Sequence, residues 1–441
     1  IGVYGSNEGL ENTPNSSPGV LLNPPAPRAD ELLTEKYCRD LGIPVVPCHL
    51  AILSEKQNHR RWPRELHPNN ALGQRVTRDI MRARAACFFA TPCGRGCSIG
   101  ANFQSPTVLL PPALATGNLT IRTDAMVFEV SSNAKGQANG VGFIDRITGK
   151  QHHVRARVVI LAASACESAR IMLNSKSNAH PNGIGNASGL VGKYIMDTVG
   201  ADLLGQFPIM ENMPPHNADG ASAMHMYMPW WLYQEQAKGQ LDFARGYHIE
   251  FGGGRRMPQG GHFSSVEAMN GGNYGQQLKE DCRRYYGSFI GFSGRGEMIP
   301  NEDCYCTIDA EQKDKWGIPT LKFHWRWSDH ELNQARHMHA TFRTIIESMG
   351  GRVMGEVATD GARAIKKPGE IIHEVGGARM GDNPATSVLN QFCQSWQVPN
   401  LFVTDGAGFV SNADKNPTLS IMANAWRSAD YLVQEMRARN L

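Results

Sequence analysis

A continuous apolar run at residues 158–163 constrains the fold more than any other feature of the sequence. An apolar segment with no polar face predicts a buried parallel strand, and the helical spacing over residues 166–173 predicts a helix directly after it. A second short apolar run covers residues 401–405, and an apolar helix is predicted over residues 419–436. The chain is therefore predicted to have an α/β fold built on parallel strands.

The residue composition and pattern change twice along the chain, and each change predicts a domain boundary. Between residues 195 and 368, aromatic residues, Met and Gly-rich turns dominate, and strand patterns precede one long helix at residues 329–349. These features favour an antiparallel sheet with a helix, which is an α+β arrangement. We expect residues 1–194 and 369–441 to form the two parts of one α/β domain, and residues 195–368 to form a second domain.

Composition excludes several classes of protein. Of the 441 residues, 41% are hydrophobic and 19% are charged, so the chain can bury a large core and is not disordered. Lys and Arg number 44 against 41 Asp and Glu, a balance that gives no indication of nucleic-acid binding. No apolar stretch is long enough to predict a transmembrane helix.

Three of the ten cysteines lie close together in the sequence: Cys87, Cys93 and Cys97. Grouped thiols in an enzyme-sized chain suggest a metal or redox role before a disulfide framework, and thiolate-rich sites suit zinc or iron–sulfur clusters. Zinc is the less favoured metal because no fourth ligand is evident nearby. A Cys93–Cys97 disulfide and plain buried thiols are the alternatives.

The second candidate site contains His373, which lies next to the turn formed by Gly376 and Gly377. The ordinary pKa of an imidazole suits proton abstraction near neutral pH. Asn416 precedes Pro417 at the predicted start of a helix, where its amide can donate to an oxygen beside the helix N–H groups. The simpler interpretation is a hydrogen-bonded turn histidine and an ordinary helix cap.

Taken together, these C-terminal segments resemble the signature of the glucose–methanol–choline (GMC) family of FAD-dependent oxidoreductases. In that pattern, a His is followed by a Gly-containing turn and a Met, a strand ends in Asp-Gly, and a His or Asn precedes an apolar helix. His373, Met380, Asp405–Gly406 and Asn416 fill these places. Further resemblance covers most of the chain, at residues 119–130, 158–173 and 313–319.

The resemblance implies that the chain oxidises a hydroxyl of a carbohydrate or polyol to a carbonyl with FAD. His373 would take the hydroxyl proton while a hydride passes to flavin N5, and Asn416 would hold the same oxygen. Residues 1–194 and 369–441 would form the FAD-binding domain, and residues 195–368 the α+β substrate-binding domain with an antiparallel sheet. The residues implied to contact the cofactor are Val127, Ala163, Asp405, Gly406, Asn416, Pro417 and Thr418.

The spacing of the cysteines resembles the iron–sulfur loop, residues 87–100 here, of multi-subunit GMC sugar dehydrogenases. By this resemblance, Cys87, Cys93 and Cys97 would hold a three-iron, four-sulfur cluster ([3Fe-4S]) that relays electrons from flavin to a cytochrome c partner. A small chaperone-like subunit and a periplasmic location are further implications. A dehydrogenase is thus favoured over an oxidase that uses O2, and an inactive chain acting as a binding subunit is the remaining alternative.

The opening element of the family is not found in this sequence. The GMC pattern begins with a strand, Gly-x-Gly-x-x-Gly and a helix, then an acidic residue for the adenosine ribose. The glycines at residues 183–189 follow a helix and have another spacing, and those at residues 252–254 precede a poor helix start. We therefore expect the FAD-binding domain to be incomplete at its N-terminus, by roughly a hundred residues, and to hold FAD weakly or not at all.

Overall fold

The computed structural model describes residues 1–10, 15–56, 67–88, 93, 96–212, 224–255 and 261–441. The strands, in chain order, are β1 (Val3–Tyr4), β2 (Leu21–Leu22), β3 (Val46–Pro47), β4 (Ala125–Ser132), β5 (Ala138–Asp145), β6 (Gln151–Arg155), β7 (Val159–Leu161), β8 (Val199–Gln206), β9 (Met226–Met228), β10 (Tyr247–Gly253), β11 (Phe289–Gly296), β12 (Tyr305–Lys313), β13 (Pro319–His324), β14 (Arg352–Met354) and β15 (Leu401–Val403). The α-helices are α1 (Ala29–Asp40), α2 (Ala71–Ala83), α3 (Ser105–Val108), α4 (Leu110–Leu114), α5 (Ala165–Asn174), α6 (Tyr233–Ala237), α7 (Gly261–Asn270), α8 (Gly275–Tyr285), α9 (Asp329–Ser348), α10 (Gly361–Ala364) and α11 (Thr418–Arg437).

The largest sheet has six antiparallel strands in the order β14-β8-β11-β10-β9-β3, which confirms the predicted antiparallel sheet. Its apolar face packs against α9, whose residues Phe342 and Ile346 are fully buried. The alternation of apolar and polar residues along β10 produces this arrangement because successive side chains point to opposite faces. Helix α9 begins at a capping box, in which the backbone N–H of Ser328 donates to Glu331 at 2.8 Å.

A second core surrounds the two parallel strands that the apolar runs predict. Strand β15 pairs with β7 in parallel, with Leu401 opposite Val159 and Val403 opposite Leu161. Helix α5 follows β7 directly, and the meander β4-β5-β6 packs beside them. These elements confirm the strand–helix unit at residues 158–173 and the meander after residue 125.

The first helix packs against the antiparallel sheet rather than against the parallel strands. Cys38 of α1 and Ile43 are buried in the core of the six-stranded sheet, and β3 forms its edge. Buried Glu31 of α1 accepts from the backbone N–H of His225, at 2.9 Å, just before β9. The division of the chain at residues 194 and 368 stays a prediction.

Three segments of the chain differ from, or add to, what the sequence predicts. Residues 119–123, expected as a strand, are irregular and largely exposed, since the antiparallel pairing with β5 begins only at Ala125. The helix expected over residues 105–115 is divided at Leu109 into α3 and α4. The aromatic and Met segment at residues 224–233 contributes mainly core, because Met226, Met228 and Trp230 are buried. In the described part of the chain, no helix is long and apolar enough to cross a membrane.

Candidate active site

His373 and Asn416 meet in the structure although 43 residues separate them in the chain. The Nδ2 amide nitrogen of Asn416 lies 3.1 Å from Nε2 of His373. His373 lies on the segment between α10 and β15, and Asn416 lies shortly before α11. The fold therefore brings together the two residues that the sequence predicted as a pair.

A buried carboxylate holds the segment that carries His373. Asp197 is only 1% exposed, and its Oδ1 accepts the backbone N–H of His373 at 3.0 Å and that of Thr198 at 2.8 Å. The other oxygen, Oδ2, accepts the backbone N–H of Gly369 at 3.2 Å. Because charge-assisted hydrogen bonds are strong, Asp197 fixes the His373 segment to the start of β8.

Two more buried polar side chains complete the surroundings of His373. Oγ1 of Thr198 lies 3.3 Å from Nδ1 of the imidazole. Nδ2 of Asn412 donates to the backbone carbonyl of His373 at 3.2 Å and lies 3.5 Å from the Thr198 hydroxyl. Each ring nitrogen and each backbone polar group of His373 thus has a neighbour within hydrogen-bonding distance.

The environment of His373 favours the neutral imidazole. Burial lowers its pKa below the ordinary 6.5, and Arg295 and His248 act in the same direction. The carboxylates of Asp197 and Glu250 oppose the shift without reversing it. A neutral imidazole at neutral pH can accept a proton, which is the requirement for a general base.

The carboxylate of Asp414 holds the loop that carries Asn416 against the six-stranded sheet. Nδ1 of the buried His248, on β10, lies 3.2 Å from Oδ2 of Asp414, and Nζ of Lys415 lies 2.6 Å from the same oxygen. Burial works to raise the pKa of Asp414, but the His248 hydrogen bond and the Lys415 charge lower it to about 2. Asp414 is therefore ionised at neutral pH and holds the loop next to β10.

The polar face of the six-stranded sheet lies beside this pair. The register places His248 opposite Arg295 and Glu250 opposite Ser293 on β11, and Ser293 opposite Asp202 on β8. Nη1 of Arg295 lies 3.5 Å from Asp202, and Nη2 lies 3.9 Å from Glu250. The face thus presents charged donors and acceptors in alternation.

A pocket of about 630 Å³ opens on the same face and includes Asp202, Glu250 and Ser293 in its lining. This volume suits a small-molecule ligand. The sequence analysis missed these residues, together with Asp197, Thr198 and Asn412. The available signal was the polar alternation at positions 248 and 250 within an otherwise apolar strand, which marks a strand with one polar face.

Asp405 connects the carboxyl ends of the two parallel strands. Its Oδ2 accepts the hydroxyl of Ser168 on α5 at 2.5 Å, and its Oδ1 accepts the backbone N–H of Ala407 at 2.8 Å. The Ser168 oxygen in turn accepts the backbone N–H of Ala163 at 3.2 Å. Burial raises the pKa of Asp405, while these hydrogen bonds oppose the rise. In open α/β sheets, ligands bind at such carboxyl ends.

The residues at these strand ends fit a flat cofactor of the kind implied by the sequence. Ala163 and Ser164 are small and exposed, directly after buried β7. Ser164 has φ 82°, a conformation that is strained in a non-glycine residue and that concentrates at ligand sites. Gly376 has φ 85°, and a Cβ there would lie 2.0 Å from the carbonyl oxygen of Tyr194, so the turn after His373 requires glycine.

The other residues predicted to contact the cofactor occupy two places. Gly406 is buried directly after Asp405, whereas Pro417 caps α11 and Thr418 is its exposed first residue. Val127, on β4, packs against the core of the parallel strands. Gly406 lies against the turn that follows His373, because its carbonyl accepts the backbone N–H of Gly376 at 2.9 Å, and Val127 belongs to the meander.

The three grouped cysteines pack, half-buried, against one small apolar core that includes Tyr4. Cys97 carries a free thiol, so the alternative Cys93–Cys97 disulfide is not formed. The Sγ atom of Cys97 lies 3.5 Å from the backbone N–H of Asn102. Among the residues that the structure describes, no group of three His, Cys, Asp or Glu side chains is placed to hold a metal ion. The cluster role expected for Cys87, Cys93 and Cys97 stays a prediction.

Comparison with solved structures identifies a similar fold in the formate oxidase of Aspergillus oryzae RIB40. The TM-score is 0.54 and the sequence identity 13%, over 77% of this chain and 64% of that chain. At this low identity, the similarity concerns the fold alone.

Curated proteins with similar sequences include several oxidoreductases. The 2-methyl-1,2-propanediol dehydrogenase of Mycolicibacterium austroafricanum is 29% identical over 73% of this chain and 55% of its own. The gluconate 2-dehydrogenase flavoprotein of Pantoea cypripedii is 27% identical over 75% of this chain and 53% of its own. The fructose dehydrogenase large subunit of Gluconobacter japonicus is 23% identical over 80% and 61%. The chain spans little more than half the length of these relatives.

Family models account for the larger part of the chain. The N-terminal GMC oxidoreductase model matches residues 66–205, and the C-terminal GMC oxidoreductase model matches residues 300–425. Asp197 and Thr198 lie in the first range, and His373 and Asn416 lie in the second. The chain belongs to the GMC oxidoreductase family.

Proposed function

We propose that this protein oxidises a hydroxyl of a sugar or polyol to a carbonyl, with FAD as the electron acceptor and His373 as the base. The observation that carries the proposal is the contact of 3.1 Å between His373 and Asn416. Membership of the GMC family implies FAD. The named dehydrogenases of 2-methyl-1,2-propanediol, gluconate and fructose support a polyhydroxylated substrate.

The chemistry assigns one task to each residue of the pair. The hydroxyl proton of the substrate moves to the neutral His373, and the Asn416 amide donates a hydrogen bond to the same oxygen as it becomes a carbonyl. Bound FAD supplies the two-electron acceptor that receives the hydride from the adjacent carbon. General-base assistance contributes about 10²–10⁴ in rate, and the fixed geometry adds to it.

The cofactor residues follow from the same proposal. Asp405, Gly406 and Thr418 would adjoin the ribityl and pyrimidine parts of FAD, with Asn416 and Pro417 at the start of α11. Ala163 and Val127 would lie on the side of the parallel strands. The N-terminus of a long helix such as α11 stabilises negative charge on a nearby group, which suits a reduced flavin.

The polar face of the six-stranded sheet would hold the substrate, so residues 195–368 would form the substrate domain. Carboxylates accept hydrogen bonds from hydroxyl groups, and a guanidinium donates to hydroxyl oxygens. Asp202, Glu250 and Arg295 offer both kinds of partner in one small area. Such a surface suits a ligand with several adjacent hydroxyl groups.

The electron acceptor after FAD is a separate part of the proposal. The cysteine spacing favours a dehydrogenase with an iron–sulfur cluster, a cytochrome c acceptor and a small additional subunit. Among the described side chains no three-ligand group is found, so no electron-transfer step is assigned to Cys87, Cys93 and Cys97. An oxidase that reduces O2 is the second candidate, supported by similarity to the paromamine 6'-oxidase of Streptomyces fradiae, which is 23% identical over 83% of this chain.

A single preparation tests the proposal. The purified protein is incubated with FAD, its absorption spectrum is recorded, and acid-released flavin and iron are measured on the same sample. Anaerobic addition of sugars and polyols should bleach the flavin bands with at least one of them, and added O2 or an artificial acceptor then separates oxidase from dehydrogenase. Bound flavin that no hydroxyl compound reduces would contradict the proposed reaction. Protein that binds no flavin would support the inactive binding subunit instead.

A further inference from the structure

The neighbours of His373 distinguish its two ring nitrogens. At Nε2 the neighbouring atom is the amide nitrogen of Asn416, at 3.1 Å, and an amide nitrogen can only donate. In this orientation of the Asn416 amide, Nε2 accepts and carries the lone pair. In a neutral imidazole the hydrogen then resides on Nδ1 and needs an acceptor of its own.

Thr198 supplies that acceptor. Its Oγ1 lies 3.3 Å from Nδ1, and Thr198 is only 1% exposed, so bulk water does not compete for the contact. The other neighbour of this oxygen is the amide nitrogen of Asn412, a second donor at 3.5 Å. Asn412 occupies one lone pair of the Thr198 oxygen, and the other lone pair accepts the Nδ1–H that the Asn416 contact requires.

We infer that Thr198 is a positioning residue that holds His373 in the Nδ1–H tautomer and directs the basic Nε2 toward Asn416. The inference rests on the proposed function only in its consequence for turnover, since the tautomer itself is a property of the protein without substrate. A hydroxyl placed between Asn416 and His373 would meet the lone pair rather than a hydrogen.

The backbone makes this arrangement rigid. The backbone N–H groups of Thr198 and His373 donate to the same oxygen, Oδ1 of Asp197, at 2.8 Å and 3.0 Å. Asn412 bridges the pair from the other side through the carbonyl of His373. The hydroxyl and the imidazole are therefore held at a fixed separation by two buried side chains that take no part in proton transfer.

Removal of the Thr198 hydroxyl should shift His373 away from the Nδ1–H tautomer. In the Thr198→Val variant, a Nδ1–H would be left without its acceptor in a buried place, which is unfavourable. The hydrogen would then move to Nε2, where it would occupy the nitrogen that the substrate proton needs. Thr198→Ser keeps the hydroxyl and is the matched control.

Nitrogen NMR of the full chain, labelled with 15N at histidine, measures the tautomer without flavin or substrate. His373→Gln identifies the signals of His373 among those of the 15 histidines. We expect a protonated Nδ1 and an unprotonated Nε2 in the wild type and in Thr198→Ser, and a population shift toward Nε2–H in Thr198→Val. A wild-type spectrum with hydrogen on Nε2 would overturn the inference even if the Val variant failed to fold.

The pH dependence provides an independent readout. The titratable and charged groups that act on His373 are Asp197, Glu250, Arg295 and His248, and Thr198→Val leaves all of them in place. Loss of an acceptor for the imidazolium should move the pKa of His373 further down, since that hydrogen bond favours the charged form. A pKa equal to that of the wild type, with unchanged tautomer, would reduce Thr198 to a packing role.

Turnover separates this inference from the proposed function. In the FAD-loaded protein, Thr198→Val should lower kcat by about tenfold with little change in KM, and Thr198→Ser should restore it. If the wild type oxidises no hydroxyl compound but shows the Nδ1–H tautomer, the proposed function fails and the assignment of Thr198 stands. If the wild type is active and the Val variant equals it in kcat and tautomer, only the assignment of Thr198 fails.

Discussion

The His373 site and the cysteine segment differ in how the fold treats residues that the sequence singled out. His373 and Asn416 are distant in sequence, yet they meet because Asp197, Asn412 and Asp414 hold their segments against the sheet. The three cysteines are close in sequence and share one apolar core, yet the described side chains form no three-ligand group. Proximity along the chain is thus a weaker guide to a site than a buried polar frame that spans several elements.

Replacing His373 tests the His373 site and should have the largest effect on turnover of all the variants. His373→Ala removes the proposed base, so turnover should fall by about 10²–10⁴ while bound flavin stays at the wild-type level. The measurement is kcat in the FAD-loaded protein, with flavin released by acid as the control. Turnover within threefold of the wild type would show that another group takes the proton.

The frame itself is tested through stability. Asp197→Ala leaves three backbone N–H groups without their acceptor, two of them within the segment that positions His373. The free energy of unfolding should fall by about 2–4 kcal/mol, measured by urea denaturation. Asp303→Ala, at a side chain that is 61% exposed, is the matched control and should change it by less than about 0.5 kcal/mol. Equal effects of the two variants would show that Asp197 is not a special support.

The electrostatics of the pair can be changed at one position. Asn416→Asp places a carboxylate next to Nε2, which favours the imidazolium and should raise the pKa of His373 by about one unit. Because the base must be neutral, the acid limb of the pH–rate profile should move to higher pH by the same amount. Asn416→Ala, which adds no charge, is the control. An acid limb at the same pH in Asn416→Asp as in the wild type would show that residue 416 does not influence the pKa of the base.

The anchor of the Asn416 loop has its own pH signature. The folded pKa of Asp414, about 2, lies below its ordinary 3.8, so the stability it contributes is present above pH 4 and is lost as the pH falls toward 2. Asp414→Asn should therefore lower the free energy of unfolding by about 1–2 kcal/mol at neutral pH and flatten its decline below pH 4. If chemical denaturation shows the same pH dependence of the free energy of unfolding in Asp414→Asn and the wild type, Asp414 does not anchor the loop.

The smallest effect is expected at the cysteines. Cys97→Ser should leave the rate of flavin reduction by substrate within about twofold of the wild type, because the thiol packs against the apolar core around Tyr4. Iron is measured in both proteins. Three irons per wild-type chain, lost in the Ser variant, would reverse the comparison and restore the cluster implied by the sequence.

The sequence predicts those parts of the fold that local patterns determine. The apolar run of β7, the long helix α9, the helical spacing of α5 and the apolar helix α11 all correspond to observed elements. The segment at residues 119–123 failed because a strand pattern needs a partner strand, and partners are not visible locally. Elements are therefore predicted better than their pairings.

The site divides in the same way. His373 and Asn416 were accessible because their segments resemble a family pattern. Asp197, Thr198 and Asn412 carry no pattern, since a single polar residue near a strand or in a loop is common and becomes informative only when its burial and partners are known. The residues that hold His373 in place therefore could not be predicted from the sequence alone.

The pH dependence of flavin reduction tests the central claim most directly. Wild-type and His373→Ala proteins, both loaded with FAD, are mixed anaerobically with a reducing sugar or polyol over a range of pH. We expect an acid limb in the wild type with a pKa below the ordinary 6.5 of histidine, and no such limb in the variant. The same limb in both proteins would contradict the assignment of His373 as the neutral base.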